Sequence, residues 1–367
     1  SSRLLVGAED LKSESTNDSA SQEQRANLPA VVVTATRTET EPTKTASSVE
    51  VIDRKTIETR QYRLLADALQ LVPGMAIVDN GSPGTVAGVF LRGTKTANTL
   101  VLIDGRPVPF NLAGSFNVET TPLDNIERIE VLRGPASSLY GGRSIGGVIN
   151  ILTRDGRNLE KPETTAYFEA GSYGSIREGI STVGAEGDVD WGLEFTRTDL
   201  EGQRINSRLE NTSAAGKVGW QASDSLRFDL DLRYYNAEVG IPGPATGFGA
   251  NDPNDHLTSE YWSISPRLVW DTTDRWRQQL TFSTSHFRQA ATDFAPGFGL
   301  NNRITVRTQF LEYLNIVRPT QSWSITAGAS VQDMSYSRYN DDAPGLFNPG
   351  GLSYDVDQAE TNWALFL

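Results

Sequence analysis

Beyond Thr165 apolar and polar residues alternate with a period of two, the pattern of strands with two unlike faces. In residues 226–234 one face carries Leu226, Phe228, Leu230, Leu232 and Tyr234, and the other carries Arg227, Asp229, Asp231 and Arg233. Trp191, Leu193 and Phe195 alternate with Asp190, Gly192 and Glu194, and similar runs cover 262–270 and 323–331. Read this way, the stretch predicts about ten antiparallel strands.

The connections carry a second pattern. Tight turns are expected at 184–188, 222–225, 271–274 and 318–321, and long polar loops at 201–213, 240–260, 290–303 and 339–355. One short link, at 172–175, falls on the long-loop side. Alternating short and long connections fit a membrane barrel with a periplasmic and an external rim. A soluble β-sandwich binding protein, with one wet face per sheet, is the rival reading.

Upstream the period changes. Leu64, Leu65, Ala68, Leu69 and Val72 recur at helical spacing and stop at Pro73-Gly74. Two apolar segments flank Asp104-Gly105, a hairpin signal, and 126–132 and 148–152 read as further strands. These elements predict an α+β domain over 46–155. Residues 1–28, rich in Ser, Glu, Gln and Asn, are expected to be a disordered periplasmic leader.

Composition removes several classes. No run approaches the ~20 apolar residues of a membrane helix, yet 38% hydrophobic content leaves a barrel open. With 46 acidic against 33 basic residues, the net charge of -13 argues against nucleic-acid binding. Cysteine is absent, which excludes disulfides and thiolate sites. Residues 1–27 lack the apolar core of an export signal, so any such signal is expected to have been removed.

No catalytic motif is present, and the chain is not expected to be an enzyme. His256 and His286 lack metal-ligand spacing. The 251–255 run Asn-Asp-Pro-Asn-Asp concentrates oxygen ligands but lacks the glycine and glutamate of an EF-hand loop. Neither a metal nor a cofactor is expected.

Three segments together are specific. They are LADALQLVPGMAI at 65–77, FLRGTKTANTLVLIDGRPV at 90–108, and IERIEVLRGPASSLYGGRSIGGVINILT at 126–153. In these the chain resembles the TonB-dependent receptor family of outer-membrane transporters, over essentially all of 29–367. The resemblance implies an α+β plug domain at 46–155, followed at 156–367 by the N-terminal part of an antiparallel transmembrane β-barrel. Such a barrel has about 22 strands when complete, so a further dozen or so are expected beyond this chain.

It also implies a TonB box at Val31, Val32, Val33, Thr34 and Ala35, within a linker at 29–45. Physically, this is a β-branched segment with no sheet of its own, fit to pair with the edge of the periplasmic partner TonB. Arg92 and Arg133 match family arginines at plug-barrel contacts, for which Glu194, Asp229 and Asp231 would serve as partners. The 28 leader residues are too few for the extra periplasmic domain of signalling receptors, which favours uptake alone.

The expected place of work is the outer membrane of a Gram-negative bacterium, among its lipids. Within the family the resemblance is strongest to the cobalamin-transporting type, through segments 79–84 and 111–116. These would form apices facing an external ligand, with Asn80, Ser82, Asn111, Leu112, Ala113, Gly114, Ser115 and Phe116 as contacts. Their glycine, amide and hydroxyl content suits an uncharged, amide-fringed corrinoid. A ferric siderophore is the alternative, and the sequence leaves the choice open.

Overall fold

The computed structural model describes residues 48–78, 82–112, 114–157, 159–243, 251–293, 300–320, 323–342 and 352–366. The expected leader and the 29–45 segment lie outside them.

Strand β1 (Ser48–Asp53) runs into helix α1 (Arg54–Thr59), whose N-terminus is capped by Asp53 accepting from Thr56 N at 2.8 Å. Helix α2 (Leu65–Leu69) follows. The Asp67 carboxylate reaches back to accept from Leu64 N at 3.0 Å, and Leu65, Ala68 and Leu69 are fully buried. The predicted helix therefore forms but is short; Pro73 and Gly74, the latter at φ +81°, redirect the chain.

Strands β2 (Met75–Val78) and β3 (Gly88–Leu91) pair as a two-stranded ribbon. Next come β4 (Thr99–Ile103), β5 (Arg106–Pro107), β6 (Ile126–Arg133), the single turn α3 (Ser137–Tyr140) and β7 (Gly147–Thr153). Five strands form one sheet in the order β1-β6-β7-β4-β5, with β4 parallel to β7 and the other pairs antiparallel. Leu65 and Leu69 of α2 share one core cluster with Ile129, Ile149 and Ile151 of this sheet, each contributing about 1.5–3 kcal/mol of burial.

The family-like glycines have identifiable jobs. Asp104 and Gly105 both take positive φ, 49° and 80°, as a tight hairpin turn of this hand requires. At Gly147 (φ +150°) a Cβ would lie 2.3 Å from the Leu132 carbonyl oxygen, so a side chain there would push β6 and β7 apart.

The remaining strands are β8 (Glu163–Ala170), β9 (Ile176–Glu186), β10 (Val189–Leu200), β11 (Leu209–Ser223), β12 (Leu226–Gly240), β13 (His256–Thr273), β14 (Trp276–Asp293), β15 (Leu300–Thr320), β16 (Trp323–Asp342) and β17 (Leu352–Phe366). They form one ten-stranded sheet in strict sequence order, every pair antiparallel. The faces are inverted relative to a water-soluble protein: Leu230 is 39% exposed while its neighbour Asp231 is 3% exposed. Lipid is the solvent that makes such a face stable, and one continuous sheet with buried polar residues is not a sandwich. Trp220, stacked on Phe228 at 5.7 Å, and Trp270, Trp276 and Trp323 gather near the short turns, where an aromatic girdle belongs.

The long connections are shorter than the sequence pattern predicts. β11 begins at Leu209, β13 at His256 and β15 at Leu300, so the strands run well into the stretches read as loops. Above the lipid both faces of a strand meet water or protein, so the ladder continues after the alternation of hydropathy stops.

Candidate functional site

The plug is held inside the curve of the sheet by contacts graded along its depth. At the long-loop end, Leu209, Val239 and Leu257 of the wall form an apolar cluster that takes in Val86 and Leu112 of the plug. Gly84 (φ +76°) sits so close that a Cβ there would approach the Leu209 side chain to 2.8 Å. Just below, Gln289 is fully buried; its Oε1 accepts from Leu112 N at 2.9 Å and its Nε2 donates to Ser259 Oγ at 3.0 Å. Asn117 Nδ2 donates to Tyr235 OH at 3.1 Å, and Asn211 Nδ2 donates to Thr120 O at 2.7 Å.

The 111–116 apex is a self-bonded turn. Asn111 N donates to Ser115 O at 2.6 Å, Ser115 N to Asn111 Oδ1 at 3.0 Å, and Asn111 Nδ2 to Asn117 Oδ1 at 2.7 Å. Asn111, Ser115 and Phe116 are consequently buried, Phe116 in the main plug core. Ser82 is buried too, its carbonyl accepting from Thr85 N and Oγ1. The sequence offered these four as ligand contacts; the structure commits Ser82, Ser115 and Phe116 to shaping the apices, whereas Asn111, though bonded into its own turn, lines the open space beside it. Leu112 and Gly114 face the same space. Asn80 and Ala113 lie outside the described residues, as do Val31, Val32, Val33, Thr34 and Ala35.

That space is a cavity of about 420 Å³ between the second apex and the inner faces of β15, β16 and β17. Phe110, Leu112, Arg143, Tyr336, Arg338 and Glu360 line it, with Ile304 and Met334 at its back. Phe110 meets Tyr336 edge to face at 5.8 Å, and the Arg143 guanidinium lies over the Phe110 ring at 5.3 Å. Burial pushes the Arg143 guanidinium down from its ordinary value, against the opposing pull of Glu360. Arg338 Nε is buried without a hydrogen-bond partner among the described residues. Two guanidiniums, two rings and one carboxylate can grip an amphipathic ligand with a charged or strongly polar edge. Sequence reading held Asn111, Leu112 and Gly114 of this lining and missed Phe110, Arg143 and the wall residues, for which the nearness of Phe110 to the apex was the one local signal.

Deeper in the barrel, Arg106 of the plug meets the wall, 2.6 Å from Asp231, and Arg63 pairs with Glu169 of β8, whereas Arg92 and Arg133 make no such contact among the described residues. Arg92 is exposed at φ +52°. Arg133 is spent within the plug: Nη2 donates to Ser48 Oγ at 2.8 Å and lies 3.6 Å from Glu50, while Nη1 donates to Pro73 O at 3.3 Å. Hairpin geometry decides this, since the Asp104-Gly105 turn projects its next residue into the wall. Asp104 itself lies 3.8 Å from Lys217 Nζ and 3.6 Å from Arg233, and its carbonyl accepts from Arg267 Nη2 at 2.8 Å. Asn150 Oδ1 accepts from Gly105 N at 3.1 Å, joining two of the segments singled out in the sequence.

The external oxygen-rich run folds on itself, Asp252 Oδ1 accepting from the backbone of Asn254 and Asp255. His256 bonds Asn254 O and Thr292 Oγ1 through its two ring nitrogens, and His286 stands 6.0 Å from the Trp262 ring. Among the described residues no group of three or more His, Asp or Glu side chains is placed to hold a metal.

Comparison with known proteins places this geometry. Residues 41–148 match the family model of the TonB-dependent receptor plug domain. The vitamin B12 transporter BtuB of Vibrio cholerae is 27% identical over 327 residues, covering 83% of this chain and 51% of the relative. The chain thus spans about half the length of the curated relatives it matches. The ferripyoverdine receptor of Pseudomonas aeruginosa superposes with a TM-score of 0.72 at 14% identity, over 90% of this chain and 50% of that one. BauA, the ferric preacinetobactin receptor of Acinetobacter baumannii, gives 0.69 at 14% identity over 89% and 52%.

Proposed function

We propose that this chain belongs to the TonB-dependent receptor family and forms the plug and first barrel strands of an importer for a scarce nutrient in the outer membrane of a Gram-negative bacterium. The observation that carries the reading is a plug seated against the buried polar face of a sheet whose other face is apolar and exposed. A plug so held blocks the lumen until work is done on it, and the outer membrane holds no nucleotide to supply that work. It arrives through TonB, which pairs by strand addition with Val31, Val32, Val33, Thr34 and Ala35. That segment leads into β1, an edge strand of the plug sheet, so a pull loads the β1-β6 ladder first.

The ligand we assign is a corrinoid. Support comes from the relative that transports vitamin B12 and from apices free of net basic charge, with Leu112 and Gly114 facing the cavity. One observation favours the second reading, a ferric siderophore: the Arg143 and Arg338 guanidiniums beside Phe110 and Tyr336 would suit an anionic ligand. A competition assay on cells producing the complete receptor decides. Labelled cobalamin displaced only by excess cobalamin supports the corrinoid. Saturable binding of a ferric siderophore that excess cobalamin leaves untouched overturns it, while the transporter assignment stands.

A further inference from the structure

On the outward face the apolar band of β14 ends at Phe282, and that of β15 at Leu311, its direct cross-strand partner. Beyond them, towards the long loops, the same face carries Arg288 on β14, and Arg303 and Arg307 on β15. Arg288 and Arg307 are exposed between buried neighbours, Phe287 and Gln289 in one case, Val306 and Thr308 in the other. Arg288 stands opposite Thr305, which lies between the other two arginines, and Arg303 stands opposite Ala290. The three therefore surround one point on the outer surface.

Elsewhere above the band, outward arginines are neutralised. Arg197 bonds Asp199 and Glu210 at 2.8 and 2.7 Å, and Arg208 bonds Glu210 at 2.7 Å. Among the described residues, no carboxylate lies within ion-pair distance of Arg288, Arg303 or Arg307, although Glu260 stands opposite Arg288. The Arg303 Nε is buried with no hydrogen-bond partner. Besides Glu260 on β13, the described acidic residues nearest the cluster stand on the strands beyond β15, at Asp341, Asp355 and Asp357.

Height gives the cluster its meaning. Arg307 lies about 13 Å along the strand from Leu311, or about 10 Å along the membrane normal at the usual strand tilt. That is the level of headgroups, not of hydrocarbon. We propose that Arg288, Arg303 and Arg307 form a binding site for the phosphorylated headgroup of an outer-leaflet glycolipid, whose acyl chains lie on Phe282 and Leu311. The occupant follows from charge complementarity and from continuity with the lipid-facing band. The site rests on the outer-membrane reading proposed above, with the long loops outside.

The test uses the complete receptor, purified from outer membranes in mild detergent and titrated with bisphosphorylated lipid A by native mass spectrometry. Three variants are compared: R288Q/R303Q/R307Q combined, R303Q alone, and R197Q as a control in a neutralised position. The triple variant is expected to bind on the order of a hundredfold more weakly, and R303Q several-fold more weakly. R197Q should match the parent, and enzymatically dephosphorylated lipid A should lose most of its affinity for the parent. Retained heat-modifiable migration on gels establishes that each barrel is folded. Equal binding by parent and triple variant, or by phosphorylated and dephosphorylated lipid, overturns the site. Absence of the folded parent from outer membranes would instead sink the location on which it rests.

Discussion

Asp104 Oδ2 accepts a hydrogen bond of 2.8 Å from Thr153 Oγ1, and Oδ1 accepts one of 3.0 Å from Thr153 N, fastening the tip of the plug hairpin to the end of β7. Burial alone would raise this carboxyl, but Lys217, Arg233, Arg106 and the Thr153 N–H hold it well below the usual carboxylate range. A lowered folded value stabilises above the ordinary 3.8 and loses that contribution as pH falls through it. Asp104→Asn leaves buried cations without their counter-charge and is expected to cost about 3–5 kcal/mol at neutral pH. Thermal unfolding of the complete receptor in detergent should show a gap to the parent at neutral pH that narrows in strong acid. A gap independent of pH would mean that the charge is not what matters.

Glu119 has the opposite sign. Burial pushes its carboxyl up to about 8, so the folded plug holds the proton more tightly than the unfolded chain. Stability therefore falls as pH rises from about 4.5 to about 8, and is flat beyond. Glu119→Gln should be near-neutral below that window and stabilising above it, by on the order of 3 kcal/mol. Matching melting curves for parent and variant at alkaline pH would refute this.

Arg133 ties the start of β1 to the end of β6 through Ser48 and Glu50. Arg133→Ala is expected to speed hydrogen exchange of the 48–53 amides by about tenfold or more, while the β14 and β15 amides keep their rates. Unchanged exchange at β1 would remove Arg133 from any part in holding the strand that receives the pull.

Val33→Pro withdraws a main-chain donor from the segment proposed to pair with TonB. Cells carrying it should bind the nutrient at parental levels and fail to accumulate it. Normal accumulation in otherwise intact cells would reject 31–35 as the coupling segment.

Leu230 lies mid-strand on the apolar face of β12, exposed to 39%. Leu230→Arg should cost about 2–4 kcal/mol if it sits near the bilayer midplane. Denaturant unfolding from lipid vesicles measures the difference; a cost near zero would place this face away from the hydrocarbon.

The sequence by itself determined the number of wall strands, the short turns, the split between an α+β plug and an alternating sheet, and the resemblance to the TonB-dependent receptor family. Each rests on information local to the chain. Leu226 to Tyr234 displays its two faces without reference to any partner, and Asp104-Gly105 needs its positive φ values wherever it sits. Tertiary structure alone decided where strands end, because β11, β13 and β15 continue above the lipid through residues whose hydropathy no longer alternates. It also decided which polar groups face a ligand. Ser115 has the chemistry of a ligand contact, but its turn consumes it, whereas Asn111, bonded into the same turn, lines the cavity together with Phe110, Arg143, Tyr336, Arg338 and Glu360. Those residues come from separate segments of the plug and the wall, so no spacing along the chain records their meeting. Arg106 and Arg133 make the same point: both are arginines near a glycine in the plug, and only the direction of the hairpin tells which one reaches Asp231.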